Sequence, residues 1–113
     1  MKMVIQHTEL KRCDVINIKG RIDSATAPKF AEVVNEIIEA GRFHIVFDMD
    51  GVDFISSAGL RVLIGTQKTC KRYNRGEVVL AAVPETIMAS LELAGFTPLF
   101  KIFKDAVSAV GNF

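Results

Sequence analysis

The chain offers little sulfur chemistry. Cys13 and Cys70 are its two cysteines. They are far apart, and neither has a second Cys or His at metal-ligand spacing, which argues against a zinc site or a disulfide framework. Both are expected to be reduced thiols packed as small hydrophobes. An excess of one charge is also lacking. Lys and Arg total 14 against 13 Asp and Glu, leaving +1. Bulk attraction to nucleic acid or to a membrane surface is therefore not expected. No apolar run approaches the length of a membrane span, and the first residues carry no apolar stretch of the signal-peptide kind. The expectation is a cytoplasmic chain without direct membrane contact, unless it rides on a membrane-bound partner. Repeats, low-complexity tracts and linkers are missing too.

What is present is apolar periodicity almost from end to end. With 113 residues, half of them apolar, residues 1–113 are expected to form one domain whose core needs no staples. Residues 3–8 and 15–19 alternate as strands do, and the polar link Lys11-Arg12 between them predicts an antiparallel hairpin. Phe30, Val33, Val34, Ile37 and Ile38 then fall on one face of a helix. Thr26 or Ser24 can cap it, Pro28 suits its first turn, and Gly41 ends it. Residues 43–48 read as a strand covered on both faces. A helix over residues 57–73 is expected to turn Leu60, Leu63 and Ile64 inward. Residues 78–83 make another strand, Pro84 opens a third helix, and a short strand at 100–103 precedes a last helical turn from Asp105.

The resulting order, ββαβαβαβα, predicts an α/β fold: a mixed sheet with an N-terminal antiparallel hairpin followed by parallel β-α units. In such sheets binding residues collect beyond the carboxyl ends of the parallel strands. Loops at residues 23–27, 49–57 and 83–85 are expected along that edge.

Catalytic sets are lacking. There is no G-x-S-x-G elbow, and neither Gly59 nor Gly65 is followed by the Lys-Ser/Thr of a phosphate-binding loop. His7 and His44 fall in predicted strands without a Ser or Cys partner and read as structural. Residues 48–53 resemble a calcium loop only at first sight. Gly51 is fourth rather than sixth, Val52 takes a ligand position, and the twelfth position is Gly59 instead of glutamate. The expectation there is a solvated turn. A phosphorylated-aspartate receiver would need an acidic pair after the first strand, where only Glu9 is available.

One segment remains, residues 54–63, where a strand ends and two serines stand at a helix start. Ser56 and Ser57 can act as caps. The same helix end favours an anion, so a phosphate on a serine there would be tolerated by the domain. Gly59 is a poor helix former in a first turn, and its missing side chain would let a partner's backbone approach.

This segment resembles the signature of STAS domains, specifically of bacterial anti-sigma-factor antagonists. Gly20-Arg21-Ile22-Asp23 resembles the family's second motif, and residues 91–96 with 99–103 its C-terminal one. The resemblance spans nearly the whole chain, with no insertions. It implies a protein that works by binding, with no enzymatic activity and no cofactor. In the implied cycle the unphosphorylated protein binds an anti-sigma factor that is also a serine kinase, phosphorylation releases it, and a protein phosphatase resets it. Motif matching puts the phosphoacceptor at Ser57, with Asp23 beside it. Many members have aspartate before the acceptor where this chain has Ser56, which makes Ser56 a competing acceptor. The partner surface implied is Asp23, Ser24, Thr26, Ser56, Ser57, Gly59, Leu60 and Arg61.

Residues 54–76 also hold five basic side chains, Arg61, Lys68, Lys71, Arg72 and Arg75, and no acidic one. A solvated helix face with cations near its C-terminus accounts for them; alternatively Arg61 meets an acidic patch on the kinase. Two other classes compete with the antagonist. One is a STAS subunit of a membrane transport or lipid-trafficking complex with a permanent partner. The other is a small enzyme or nucleotide-binding module using the helix start at Ser57 as an anion site.

Overall fold

The computed structural model describes residues 3–113. Its first two strands form the expected hairpin: β1 (Val4–Glu9) runs antiparallel to β2 (Asp14–Ile22). Three further strands follow in parallel, β3 (His44–Ile55), β4 (Glu77–Ala81) and β5 (Lys101–Phe103). Spatial order equals sequence order, β1-β2-β3-β4-β5. The connecting helices are α1 (Ala27–Glu39), α2 (Ser57–Lys71) and α3 (Glu85–Leu93), and α4 (Ala106–Val110) closes the chain.

Strand alternation divides the core between the sheet's two faces. Ile16, Ile18, Phe47, Val78 and Leu80 point toward the layer holding Phe30, Val34, Ile37, Leu63, Ile87 and Leu91. Phe30 meets Phe47 edge-on, with ring centroids 5.1 Å apart. Val46, Val79 and Ala81 point the other way and pack with Cys13 and Ala109 under α4. Cys13 and Cys70 are free and buried. At the amino ends of the parallel strands, Asp14 is 1% exposed. It is neutralised by Arg42, while His7 Nε2 lies 2.6 Å from its other oxygen. Both histidines are held by the fold: His44 Nδ1 lies 3.1 Å from the Arg12 carbonyl oxygen, and its ring stacks on Phe113.

Helix α1 begins at Thr26 and ends before Gly41, whose φ of +82° suits glycine. The expected cap does not form. Thr26 stands at the N-cap position without a side-chain capping bond, because its hydroxyl is turned back into the preceding loop.

Strand β3 differs most from expectation. It is 12 residues long, so residues 48–55 are strand rather than a solvated turn. Asn17 pairs with Asp48 and Ile22 with Ile55, so five steps along β2 match seven along β3. The two extra residues enter at two register shifts, between the partners of Asn17 and Lys19 and between those of Gly20 and Arg21. Buried positions slip with them, from Ile45, Phe47 and Met49 to Val52 and then Ile55. Strand β4 ends opposite Asp48. The β2–β3 pair therefore continues roughly 20 Å past the rest of the parallel sheet.

Candidate functional site

The projecting β2–β3 pair carries two of the three expected loops on its tip. The third, at residues 83–85, starts where β4 stops, seven residues short of the end of β3. It therefore does not share the tip. The two tip loops are tied by backbone: Ser56 N–H donates to the Ile22 carbonyl at 2.8 Å.

The first loop is held by Asp23 and Thr26. Asp23 Oδ1 accepts from the backbone N–H of Ala25 at 3.0 Å and of Thr26 at 3.1 Å. Thr26 Oγ1 accepts from Asp23 N–H and donates to the Arg21 carbonyl, both at 2.8 Å. Partial desolvation works to raise the Asp23 pKa. The N–H groups of Thr26 and Ala25, the Thr26 hydroxyl and the nearby Arg21 guanidinium outweigh it and hold the carboxyl below its ordinary value. Arg21 lies 3.7 Å from Asp23 Oδ2 and stacks over the half-exposed Phe54 ring at 4.3 Å. Ser24 is exposed at the tip.

In the second loop the two serines do different jobs. Ser56 is the N-cap of α2, with extended backbone, and its Oγ accepts from Gly59 N–H at 3.4 Å. It is half-buried. Ser57 is the first residue of the helix and is exposed, and its hydroxyl makes no hydrogen bond with the described residues. The helix's unsatisfied N–H groups and its dipole favour negative charge at this end.

Gly59 packs against the domain's own side chains. It is buried, and a Cβ there would come within 2.7 Å of both Ile22 Cγ2 and Ile55 Cγ1. The close approach that requires glycine is made by the domain's own strand ends. Leu60 is half-buried and Arg61 exposed. Leu63 faces inward as expected, but Leu60 and Ile64 only flank the core. The buried stripe of α2 is Gly59, Leu63, Thr66, Gln67 and Cys70. Polar Gln67 could not be read as a core position. It is satisfied there by Val78 N–H, donating at 2.7 Å, and by the carbonyls of Val78 and Leu99.

Between the starts of α1 and α2 lies a shallow groove of about 360 Å³. Ala27, Pro28, Ala31, Ala58 and Val62 give it an apolar floor, with Ser24 and Arg61 at its rim. The structure thus brings Asp23, Ser24, Thr26, Ser56 and Ser57 to one tip and sets Arg61 beside it. Phe54 and the Ala27–Val62 groove floor were missed by motif matching. Arg21 meets Phe54 only through the β2–β3 register, so no sequence neighbour marked it.

Known proteins agree with this architecture. The family model of the STAS domain matches residues 4–109. BtrV of Bordetella bronchiseptica, named provisionally as an anti-sigma factor antagonist, is 28% identical over 96 residues, covering 85% of this chain and 82% of that protein. The anti-sigma-F factor antagonist RsfB of Mycobacterium tuberculosis is 29% identical over 97 residues, covering 85% and 80%. The crystal structure of an anti-sigma factor antagonist from Mycobacterium paratuberculosis superposes with a TM-score of 0.85 at 20% identity, covering 98% of this chain and 93% of that one. With the family's pattern spanning the sheet, the helices and the tip loops, this chain belongs to the STAS domain family.

Proposed function

We propose that this protein is an anti-sigma factor antagonist acting in the cytoplasm. It binds an anti-sigma factor that is also a serine kinase, and it catalyses nothing itself. Support comes from its family and from relatives named as antagonists that align over most of both chains. The kinase transfers the γ-phosphoryl group of ATP to Ser57: the Ser57 Oγ–phosphorus bond forms, ADP leaves, and the hydroxyl proton is lost. The complex then dissociates, and a phosphatase hydrolyses the phosphoserine to restore binding.

The observation that carries Ser57 as acceptor is the division of labour between the serines. Ser57 is exposed with an unengaged hydroxyl, whereas the Ser56 oxygen is turned onto Gly59 N–H. The partner is read as covering the tip loops and the groove between α1 and α2, with Arg61 meeting acidic side chains. The contribution of Gly59 to this surface is indirect, through the position of the helix start.

Pull-down from the native cytosol, followed by incubation with ATP and phosphopeptide mapping, tests the proposal. Capture of a kinase-bearing anti-sigma factor and label on Ser57 is expected. A permanent membrane-transporter partner with no label would overturn it in favour of the transport-subunit reading.

A further inference from the structure

Arg61 is a cation of the tip that the fold leaves uncommitted. It is exposed, and its guanidinium makes no hydrogen bond, ion pair or ring contact with the described residues. Arg21, by contrast, is engaged by Asp23 Oδ2 and by the Phe54 ring. Asp23 is held in its own loop by the N–H groups of Ala25 and Thr26. Within α2 the positions three and four residues from Arg61 are Ser57, Ala58, Ile64 and Gly65, so no carboxylate pairs with it along the helix.

Helix geometry decides what Arg61 can reach. Side chains four residues apart are neighbours, with Cβ atoms roughly 5–6 Å from each other. The Cα–Cβ bonds of a helix tilt toward its amino end, so Arg61 leans over the turn that begins at Ser57. In the unphosphorylated chain it lines the groove with Ser24, Ala58 and Val62. One long side chain reaches both places by rotation about its own bonds. The order of charges is also the favourable one, with the anion toward the amino end and the cation one turn later. A phosphate carries about −1.5 to −2 charges and three strong acceptor oxygens, and a guanidinium can meet two of those oxygens at once.

Resting on the reading of Ser57 as acceptor, we propose that Arg61 is the internal counter-ion of the phosphate placed there. Phosphorylation draws the guanidinium back across one turn of α2. It leaves the groove rim, where the unphosphorylated protein presents it to acidic side chains of the partner. The modification thus adds a charge that the partner must reject and withdraws a cation that the partner uses.

Phosphoserine placed at residue 57 of the full chain by semisynthesis tests the pair without a kinase. Phosphorus spectra followed with pH give its second pKa, ordinarily about 6. That pKa is expected to lie lower by about 0.3 or more with Arg61 than in Arg61→Ala, with Arg61→Lys between them. The Arg61 Nε–H signal should shift on phosphorylation. Lys29→Ala, which removes the one cation of α1, should leave the pKa unchanged. Binding to the anti-sigma factor supplies a second readout. Arg61→Ala should weaken the unphosphorylated protein by about threefold or more. It should weaken the phosphorylated protein by less than about twofold, because that guanidinium is already withdrawn. A pKa indifferent to Arg61, a larger effect of Lys29→Ala, or equal weakening of both forms would each overturn the pair. Kinase label on another residue would overturn the choice of acceptor instead, and the semisynthetic spectra would still decide the pair by themselves.

Discussion

The Ser56 backbone N–H donates to the Ile22 carbonyl at 2.8 Å, so the start of α2 is pinned to the end of β2. Every group of the tip takes its position from this junction. Asp23 follows Ile22 directly, and Ser57 follows Ser56. The proposed partner surface is thus built on two strand ends and the starts of α1 and α2, with little free loop between them.

The two serines should separate cleanly by substitution. Ser57→Ala is expected to abolish phosphorylation by a cognate kinase with little effect on stability. Ser56→Ala should keep the label and cost about 0.5–1 kcal/mol, the lower part of the range for a lost N-cap, because the capping contact is long at 3.4 Å. Phosphopeptide mapping and urea unfolding read the two effects. Label on Ser56 would reverse the assignment.

Gly59 should behave as a packing residue. A larger side chain meets Ile22 and Ile55 at their branch atoms, where neither can swing away without disturbing the core. Gly59→Leu is expected to destabilise the fold by about 1–3 kcal/mol or more. Gly59→Ala should cost less, since alanine recovers about 1 kcal/mol of helix propensity. Urea midpoints measure the loss. An unchanged midpoint with a large fall in partner affinity would place Gly59 in direct contact with the partner instead.

Acid should loosen the tip through Asp23. Its carboxyl is held below the ordinary value, so its stabilising contribution is fully present above the unfolded aspartate pKa of about 3.9. That contribution is lost as pH falls through the lowered folded value. Asp105, the N-cap of α4, is lowered in the same direction by the N–H and side chain of Ser108. Carboxyl carbon shifts followed to low pH should show both titrating below ordinary aspartates. In Asp23→Asn the share of the acid-induced stability loss that belongs to Asp23 should disappear. Titration of Asp23 at the ordinary value would contradict the hydrogen-bonded loop.

The thiols should be inert in the folded protein. Burial pushes Cys70 up to about 11. Burial, with Asp14 assisting and Arg42 opposing, raises Cys13 as well. Alkylation at mildly alkaline pH is expected only in step with unfolding. Rapid modification of either under native conditions would refute the burial account.

Element order was legible because α1 and α3 carry clear apolar stripes and the gaps carry turn residues, as with Gly41, Gly76 and Gly95. The far half of β3 was not legible. Asp48, Asp50, Gly51 and Asp53 look like a turn, and two register shifts break the alternation that would have exposed Met49, Val52 and Ile55 as one buried series. The inward stripe of α2 was half legible, since Gln67 enters the core through hydrogen bonds to Val78 and Leu99 that pattern alone does not show. Of the tip, the serines were readable from helix-start chemistry. Phe54 and the Ala27–Val62 groove required the strands' actual lengths.

The central claim is that phosphate on Ser57 acts locally, and amide spectra of the unphosphorylated and phosphorylated protein, each titrated with the anti-sigma factor, test it most directly. Phosphate adds about −1.5 to −2 charges and three strong acceptor oxygens. The open end of α2 tolerates that charge within this domain, whereas a partner covering Ser57 must strip its water or give way, a cost of several kcal/mol. Ser57→Asp should reproduce the loss only in part, with less charge on a shorter stem. The account predicts amide shifts confined to the tip, near residues 23–27 and 55–61, with affinity falling by orders of magnitude. Shifts spread through the whole sheet, or an affinity unchanged by phosphorylation, would contradict it.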